Sequence, residues 1–182
     1  MEKENSVLLI FTGGTISMSE DPANGALKPI DFNRLQEYMP ELKQTGVKIK
    51  SIPFLPLIDS SDVEPAIWER IATTIQENYN EYDGFVVLHG TDTMAYTASA
   101  LSFMLENLAK PVILTGAQLP VGMLRSDAKE NLLTAIEIAT AKENGVALVP
   151  EVCIFFEDTL FRGNRTTKKN AEHFNADRKS VV

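Results

Sequence analysis

The feature of this chain that most constrains its fold is a set of five short apolar runs, several of them rich in β-branched residues. Three of the runs are apolar almost without interruption, which is typical of parallel strands that are buried on both faces of a sheet. The runs are SVLLIFT from Ser6, VKIKSIPFL from Val47, GFVVLH from Gly84, PVILTG from Pro111 and VCIFF from Val152. They predict strands that lie mostly parallel in one sheet.

Helical patterns lie between these strands. Apolar residues recur at helical spacing over three stretches, 68–79, 94–105 and 132–139. Strands that alternate with helices are typical of βαβ units. The sequence therefore predicts an α/β fold in three layers, a mostly parallel sheet with helices on both faces. The length of 182 residues suits a single domain of this kind.

Local signals mark the starts of two helices and one irregular segment. Pro65 lies where the first turn of a helix tolerates proline. In DAKE, just before the third helical stretch, Asp127 and Glu130 have capping-box spacing. This spacing predicts that they cap that helix. The least regular stretch, SMSEDPANGALKPID from Ser17, contains the turn-forming pairs DP and NG. It is compatible with a β-hairpin or with a mobile loop.

Charge and composition argue against several classes of function. The formal net charge of -8 repels nucleic acid and anionic membranes. No apolar run approaches the roughly 18–20 residues of a membrane span, and the first residues have no signal-peptide layout. We therefore expect a cytoplasmic protein without nucleic-acid or membrane partners. The single cysteine, Cys153, lies in an apolar run and is predicted to be a small buried hydrophobe.

Hydroxyl and acidic side chains directly follow two of the predicted strands. The first strand ends in TGGT, residues 12–15, and the third ends in HGTDT, residues 89–93. The ordinary interpretation is a tight turn in the first case and helix capping in the second. TGGT lacks the spacing of a P-loop or of a dinucleotide-binding fingerprint. Because α/β sheets place ligands at the carboxyl ends of their strands, the alternative is a site that presents Thr15 as a nucleophile.

A threonine nucleophile needs a base that takes its proton. A lysine that has lost its charge through burial can be that base, and a carboxylate bonded to the lysine can orient it. The chain offers Asp92 and, further along, Lys168 and Lys169. Their spacing in the sequence does not show whether they meet.

Longer motifs around these strand ends resemble one known family. LIFTGGTIS from Leu9 and GFVVLHGTDTM from Gly84 are similar to the two signature motifs of the L-asparaginase family. HGTDTMAYTASALSFMLENL, ILTGAQLP, RSDAKENLLTA and FRGNRTTK resemble its cytoplasmic type I branch in particular. The resemblance extends from about Val7 to Ala176. It implies a Rossmann-like N-terminal asparaginase domain over residues 1–176, with L-asparagine amidohydrolase activity.

The resemblance also implies roles for individual residues. Thr15 matches the primary nucleophile, which attacks the side-chain amide carbon of asparagine, gives an aspartyl ester and releases ammonia. Thr91, Asp92 and Lys168 match a second constellation, which transfers protons and activates water. Thr91 and Asp92 also match substrate-binding positions, and the carboxylate of Asp92 matches the one that receives the substrate's α-ammonium. We treat the two threonines as one coupled site.

Two further groups of residues are assigned in the same way. Ser60 matches the residue that holds the substrate's α-carboxylate, Ser61 matches a neighbouring binding position, and Asp62 follows in the same loop. Without the resemblance, capping of the next helix would be the better interpretation of these three. Gly14 and Gly90 are predicted to serve backbone geometry, and their N–H groups to contribute to an oxyanion site.

Other conspicuous residues have simpler interpretations. A lone lysine such as Lys168 is ordinarily a solvated surface residue. His89 is interpreted as a structural hydrogen-bonding residue beneath the loop, and Arg125 with Asp127 as a structural pair at the start of a helix. No grouping of His, Cys and Asp has metal-ligand spacing, so we expect neither a metal nor an organic cofactor.

The sequence departs from the family's pattern in two places. Many members carry a tyrosine in the loop after the first motif, whereas SEDPANGALKPID has none. After HFNA the family continues into a linker and a C-terminal domain, whereas residues 177–182 read DRKSVV. We interpret them as an atypical tail, with the C-terminal domain absent. Because in the family that domain completes the site across a subunit interface, the resemblance implies that the chain folds but is a poor catalyst, or none.

Other functions stay open at this point. One alternative is the amidase subunit of a tRNA-dependent amidotransferase, which shares this domain but carries an extra N-terminal domain. Another is a domain that binds amino acids without catalysis. Asparagine and glutamine are both candidate substrates, since one methylene is worth only about 1–3 kcal/mol of discrimination. A homodimer or homotetramer is expected for the full-length protein.

Overall fold

The structure, a computed structural model, describes residues 4–21 and 23–168. Its strands are β1 Ser6–Gly13, β2 Met18–Glu20, β3 Leu27–Pro29, β4 Lys48–Ile58, β5 Gly84–Leu88, β6 Val112–Thr115, β7 Lys142–Glu143, β8 Val146–Ala147, β9 Val152–Phe156 and β10 Thr159–Arg162. Its α-helices are α1 Phe32–Tyr38, α2 Pro65–Glu77, α3 Met94–Met104 and α4 Ala128–Thr140. Short 3-10 turns cover Thr15–Ser17, Pro40–Gln44, Ser60–Asp62 and Gly163–Arg165.

All of the strands predicted from the apolar runs are present in one six-stranded sheet, in the order β10-β9-β6-β5-β1-β4. Its neighbouring strands are parallel except for β10, which pairs antiparallel with β9. The predicted α/β fold with a mostly parallel sheet is therefore confirmed. Strand β10 was not predicted, because its four residues TLFR are too short and too polar to form an apolar run.

The two faces of the sheet carry separate cores. Along one row of the register, Leu9 pairs with Val86, Val86 with Ile113, and Ile113 with Cys153. These side chains pack with the apolar stripe of α4 and with α1. Side chains of the alternate rows pack with α2 and α3 on the other face. The predicted three layers are confirmed, and truncation of a buried leucine in either core would cost about 2–5 kcal/mol.

The irregular segment after β1 is a hairpin, which confirms the first of the two alternatives. Strands β2 and β3 pair antiparallel. The carboxylate of Asp21 accepts the N–H of Ala23 at 3.0 Å and forms an ion pair with Lys28 across the hairpin. These bonds from the lysine and the backbone lower the pKa of the Asp21 carboxyl. The hairpin follows directly on the turn that contains Thr15.

The prediction for the start of α2 is confirmed, and the prediction for α4 is wrong. Pro65 is the first residue of α2. Asp127 precedes α4, but its side chain makes no capping bond to that helix. Its carboxylate accepts the backbone N–H groups of Gln118 and Leu119 at 2.9–3.0 Å instead. The loop after β6 supplies these two donors, and no sequence pattern showed that this loop folds back onto the start of α4.

The predicted burial of Cys153 is confirmed. Its side chain is fully buried in β9, and this burial raises the pKa of the thiol to about 12, which leaves it unreactive. Within the part of the chain that the structure describes, no helix is long and apolar enough to cross a membrane.

Candidate active site

The two motifs of the sequence meet at the carboxyl edge of the sheet. Strands β1 and β5 are adjacent and parallel, so the segments that follow them leave the sheet side by side. The hydroxyl of Thr12 donates to the carbonyl of Leu88 at 2.8 Å and joins the two strand ends. This edge is where α/β sheets bind ligands.

Glycine is required where the two turns touch. A Cβ on Gly14 would lie 2.5 Å from the Cα of Gly90, and a Cβ on Gly90 would lie 2.5 Å from the Oγ of Ser60. Gly14 also has a φ of 80°, which is in the left-handed region. The predicted role of these glycines in backbone geometry thus has a steric cause. Because Thr15 and Thr91 each follow one of these glycines directly, the contact places the two threonine-bearing turns together.

The structure brings Thr91, Asp92 and Lys168 together. The ammonium of Lys168 donates to Thr91 Oγ1 at 3.2 Å and to Asp92 Oδ1 at 2.8 Å. Its side chain is only 11% exposed, so the interpretation of Lys168 as a solvated surface lysine is wrong. Asp92, in contrast, is 62% exposed and therefore open to a ligand. Lys169, the other candidate, lies outside the described residues.

Thr15 begins the 3-10 turn Thr15–Ser17 and is partly exposed. The turn is held by Ser17, whose hydroxyl donates to the carbonyl of Gly13 at 3.1 Å and whose N–H donates to the carbonyl of Gly14 at 3.0 Å. Thr15 thus begins a hydrogen-bonded turn that lies beside the Thr91 turn. Its role as nucleophile stays a prediction at this point.

Ser60, Ser61 and Asp62 form a 3-10 turn of their own after β4. They do not cap α2, whose N-cap is Glu64, so the capping interpretation is wrong. Ser60 is buried against Gly90, whereas Ser61 and Asp62 are exposed. The structure therefore brings Ser60 to the turns of the site.

Two residues that the sequence analysis did not assign hold this turn in place. The carboxylate of Asp59 accepts both the N–H and the hydroxyl of Ser61 at 2.9 Å, and these bonds lower its pKa. The hydroxyl of Thr93 donates to the carbonyl of Ser60 at 2.6 Å and so ties the turn to the HGTDT segment. The run DSSD, residues 59–62, is a sequence signal that could have pointed to Asp59 as a turn-stabilising residue. Nothing in the sequence linked Thr93 to Ser60.

The loop after β6 is a third wall of the site that the sequence analysis missed. A Cβ on Gly116 would lie 2.5 Å from the carbonyl oxygen of His89 and 3.5 Å from the methyl group of Thr91. The buried amide of Asn131 holds this loop, donating to the carbonyl of Gly116 at 3.0 Å and accepting the N–H of Glu157 at 3.0 Å. The prediction that Asp127 is structural is confirmed, since it bonds this same loop and Asn131.

Nothing in the described ranges 4–21 and 23–168 groups three or more His, Cys, Asp or Glu residues as a metal site would. The absence of cofactors stays a prediction.

Fold and site define a class of protein: an α/β domain in which a threonine, an aspartate and a lysine meet at the carboxyl edge of a parallel sheet. The family model described as "Asparaginase, N-terminal" matches residues 6–180. The chain belongs to the asparaginase family, and the resemblance seen in its motifs is confirmed.

Several relatives support this assignment. L-asparaginase 1 of Escherichia coli strain K12 is 47% identical over 180 residues, which are 96% of this chain and 50% of that protein. The 60 kDa lysophospholipase of Mus musculus is 45% identical over 197 residues, covering 97% of this chain and 34% of that protein. The crystal structure of L-asparaginase I from Vibrio cholerae has a TM-score of 0.84 at 44% identity, over 96% of this chain and 51% of that one.

The amidotransferase alternative also has a relative, at lower identity. A glutamyl-tRNA(Gln) amidotransferase subunit of Pyrococcus abyssi is 39% identical, covering 91% of this chain and 39% of that protein. The chain therefore spans about half or less of the length of the curated relatives it matches.

Proposed function

We propose that this chain carries the catalytic threonines of an L-asparagine amidohydrolase, which converts asparagine and water to aspartate and ammonia. The observation that supports this most is the bonding of Lys168 to both Thr91 and Asp92, beside the turn that presents Thr15. The cluster combines two hydroxyls, a cation and an exposed carboxylate. A zwitterionic amino acid with a side-chain amide requires groups of these kinds.

Recognition of the substrate is assigned to the exposed carboxylate of Asp92 and to the 3-10 turn Ser60–Asp62. The carboxylate of Asp92 binds the α-ammonium, and Ser60 with Ser61 binds the α-carboxylate. Asp62 lies in the same exposed turn. A charge at each end of the amino acid orients the side-chain amide toward the threonines.

In the first chemical step, the Thr15 hydroxyl attacks the amide carbon and loses its proton. The negative charge on the amide oxygen is stabilised by backbone N–H groups near Gly14 and Gly90. The leaving amide nitrogen takes up a proton, the C–N bond breaks, ammonia departs, and an aspartyl ester of Thr15 remains.

In the second step, water attacks the ester carbon. The water loses a proton, the Thr15 oxygen regains one, and aspartate leaves. Lys168 lies where it can exchange a proton with Thr91, and this pair with Asp92 transfers the protons in both steps. Acid–base catalysis of this kind contributes about 10²–10⁴ in rate.

The decisive experiment is Thr15→Ala, compared with Thr73→Ala on the exposed face of α2. Ammonia release from asparagine should fall at least about 10³-fold in Thr15→Ala and be unchanged in Thr73→Ala. Near-normal turnover by Thr15→Ala would refute the proposed nucleophile. Saturable asparagine binding by the unaltered chain with no ammonia release would instead select the non-catalytic binding domain.

Two finer parts of the proposal are substrate preference and assembly. Turnover of asparagine and glutamine measured side by side tests the substrate, and copurification with a tRNA-binding partner would favour the amidotransferase alternative. We propose that the protein acts in the cytoplasm as a homodimer or homotetramer. The exposure of Asp92 leaves the site open to solvent, which weakens electrostatic stabilisation and should lower turnover by the 182-residue chain.

A further inference from the structure

A chain of hydrogen bonds lies beneath the HGTDT turn and ends at the backbone of the site. Trp68 Nε1 of α2 donates to Thr97 Oγ1 of α3 at 3.0 Å, and Thr97 Oγ1 lies 2.9 Å from His89 Nε2. His89 Nδ1 lies 2.7 Å from the carbonyl oxygen of Gly90. His89 and Thr97 are almost completely buried, at 1% and 0% exposure. None of the roles proposed for the reaction uses these three side chains.

The direction of each bond follows from the chemistry of the groups. The indole N–H of Trp68 can only donate, so Thr97 Oγ1 accepts there, and the hydroxyl proton of Thr97 is available to His89 Nε2. The carbonyl of Gly90 can only accept, so His89 Nδ1 carries the proton. His89 is therefore a neutral imidazole protonated at Nδ1. Burial lowers the pKa of His89, which agrees with the neutral form.

The last bond controls the orientation of one peptide group. Because the Gly90–Thr91 peptide is planar and trans, its carbonyl and the N–H of Thr91 point in opposite directions. With the carbonyl held toward the His89 ring, the N–H of Thr91 points away from that ring. Gly90 has no side chain that could fix the turn, and this hydrogen bond orients its carbonyl while Gly14 and Ser60 pack against its Cα.

We propose that His89, with its tautomer set by Thr97 and Trp68, is a positioning residue that fixes the Gly90–Thr91 peptide and through it the Thr91 hydroxyl beside Lys168. The expected effect on turnover rests on the proposed function, whereas the tautomer of His89 and the orientation of the peptide do not depend on it. Misplacement of Thr91 would weaken proton transfer, whereas Asp92 would retain its ion pair with Lys168.

The tautomer is tested by nitrogen NMR on the ¹⁵N-labelled 182-residue chain, which contains two histidines. His173→Gln assigns the two rings. We expect the His89 signals of a neutral ring protonated at Nδ1 over the whole pH range in which the chain is folded. A ring protonated at Nε2, or one that takes up a second proton near pH 6.5, would overturn the proposal.

The positioning role is tested by Thr97→Val, which keeps the shape of the side chain and removes the hydroxyl. We expect kcat for ammonia release to fall about tenfold with KM changed less than twofold. Thr97→Ser keeps the hydroxyl and should restore most of kcat, and Thr73→Val on the exposed face of α2 controls for the substitution itself. Wild-type kcat in a folded Thr97→Val would refute the role.

A second variant and a second measurement distinguish a loss of positioning from a loss of folding. If Thr97→Val does not fold, Trp68→Phe replaces it, because it removes the first donor but leaves Thr97 and His89 in place. The amide resonance of Thr91 should shift in these variants and not in Thr73→Val, and an unmoved resonance would refute positioning. Absence of ammonia release from the 182-residue chain would leave these two readouts unaffected, because the tautomer and the Thr91 amide are measured without turnover.

Discussion

Two clusters of the same residue types lie at opposite ends of the central sheet, and they have different consequences. Each joins a hydroxyl, an aspartate and a lysine that is distant in the sequence from that aspartate, with lysine–aspartate distances of 2.9 Å at the amino end and 2.8 Å at the carboxyl end. The amino-end cluster is Ser6, Asp83 and Lys142, and the carboxyl-end cluster is Thr91, Asp92 and Lys168.

In the amino-end cluster the carboxylate is largely buried and accepts three hydrogen bonds from the protein. Asp83 accepts the N–H and the hydroxyl of Ser6 at 2.9 and 2.8 Å, and Lys142 at 2.9 Å. Its side chain is only 13% exposed. Burial by itself would raise the pKa of Asp83, but the bonds from Lys142 and Ser6 outweigh it and lower the pKa to about 2. This cluster joins the start of β1, the residue before β5 and the start of β7 just after α4, and its role is structural.

In the carboxyl-end cluster the exposure is reversed. The lysine is 11% exposed and the aspartate 62% exposed, whereas in the amino-end cluster the lysine is 29% exposed. A buried cation next to an open carboxylate leaves room for an incoming ammonium group. Residue types alone therefore do not distinguish a structural cluster from a candidate active site. The hydrogen bonds that the carboxylate already accepts and its exposed fraction do distinguish them.

Between the two clusters, the largest expected difference comes from making the same lysine substitution in each. Lys168→Met should lower ammonia release at least about 10²-fold, because it removes the group that exchanges protons with Thr91. Its melting temperature should change little, since Asp92 is solvated. Lys142→Met should leave turnover intact. Equal turnover in the two variants, measured by an ammonia assay, would remove the functional distinction between the clusters.

The second effect is on stability and belongs to the amino-end cluster. Asp83→Asn removes the charge that Lys142 and Ser6 stabilise and should cost about 2 kcal/mol. For a chain of this size that is a decrease of about 4–8 °C in melting temperature. Asp92→Asn should change the melting temperature by less than about 2 °C. Calorimetry of both variants checks this, and a larger loss in Asp92→Asn would contradict the structural assignment.

The third effect is the pH dependence of that stability. The pKa of Asp83 is about 2 in the folded chain and about 3.9 when unfolded. The folded state is therefore stabilised above the unfolded pKa, and about 2 kcal/mol is lost as the pH falls from about 5 to 2. Denaturant unfolding should show the difference between wild type and Asp83→Asn shrinking over this range. A difference that stays constant with pH would show that the charge of Asp83 is not its cause.

The smallest expected effect is that of metal removal. Dialysis against a chelator should leave ammonia release and the melting temperature unchanged, since the proposed chemistry uses only side chains and backbone N–H groups. Loss of activity that returns with an added divalent cation would contradict the proposed mechanism.

Much of the fold followed from local patterns, because burial on both faces of a parallel sheet demands apolar runs such as SVLLIFT and VCIFF. Pro65 marked the start of α2 for a similar local reason. The capping box at Asp127 was wrong because a loop distant in sequence supplied better donors to that carboxylate. Strand β10 and helix α1 were too short for a periodic signal.

The sequence by itself determined the family, the strands of the sheet and the two threonine-bearing turns, because these depend on contiguous motifs. Only the tertiary structure decided that Lys168 reaches Thr91 and Asp92 across 77 and 76 residues, and that Lys142 reaches Asp83. It also decided which carboxylate is largely buried with three hydrogen bonds and which is exposed. The physical reason is that hydrogen-bond partners and solvent exposure are set by elements adjacent in the sheet, and adjacency in the sheet is not adjacency in the chain.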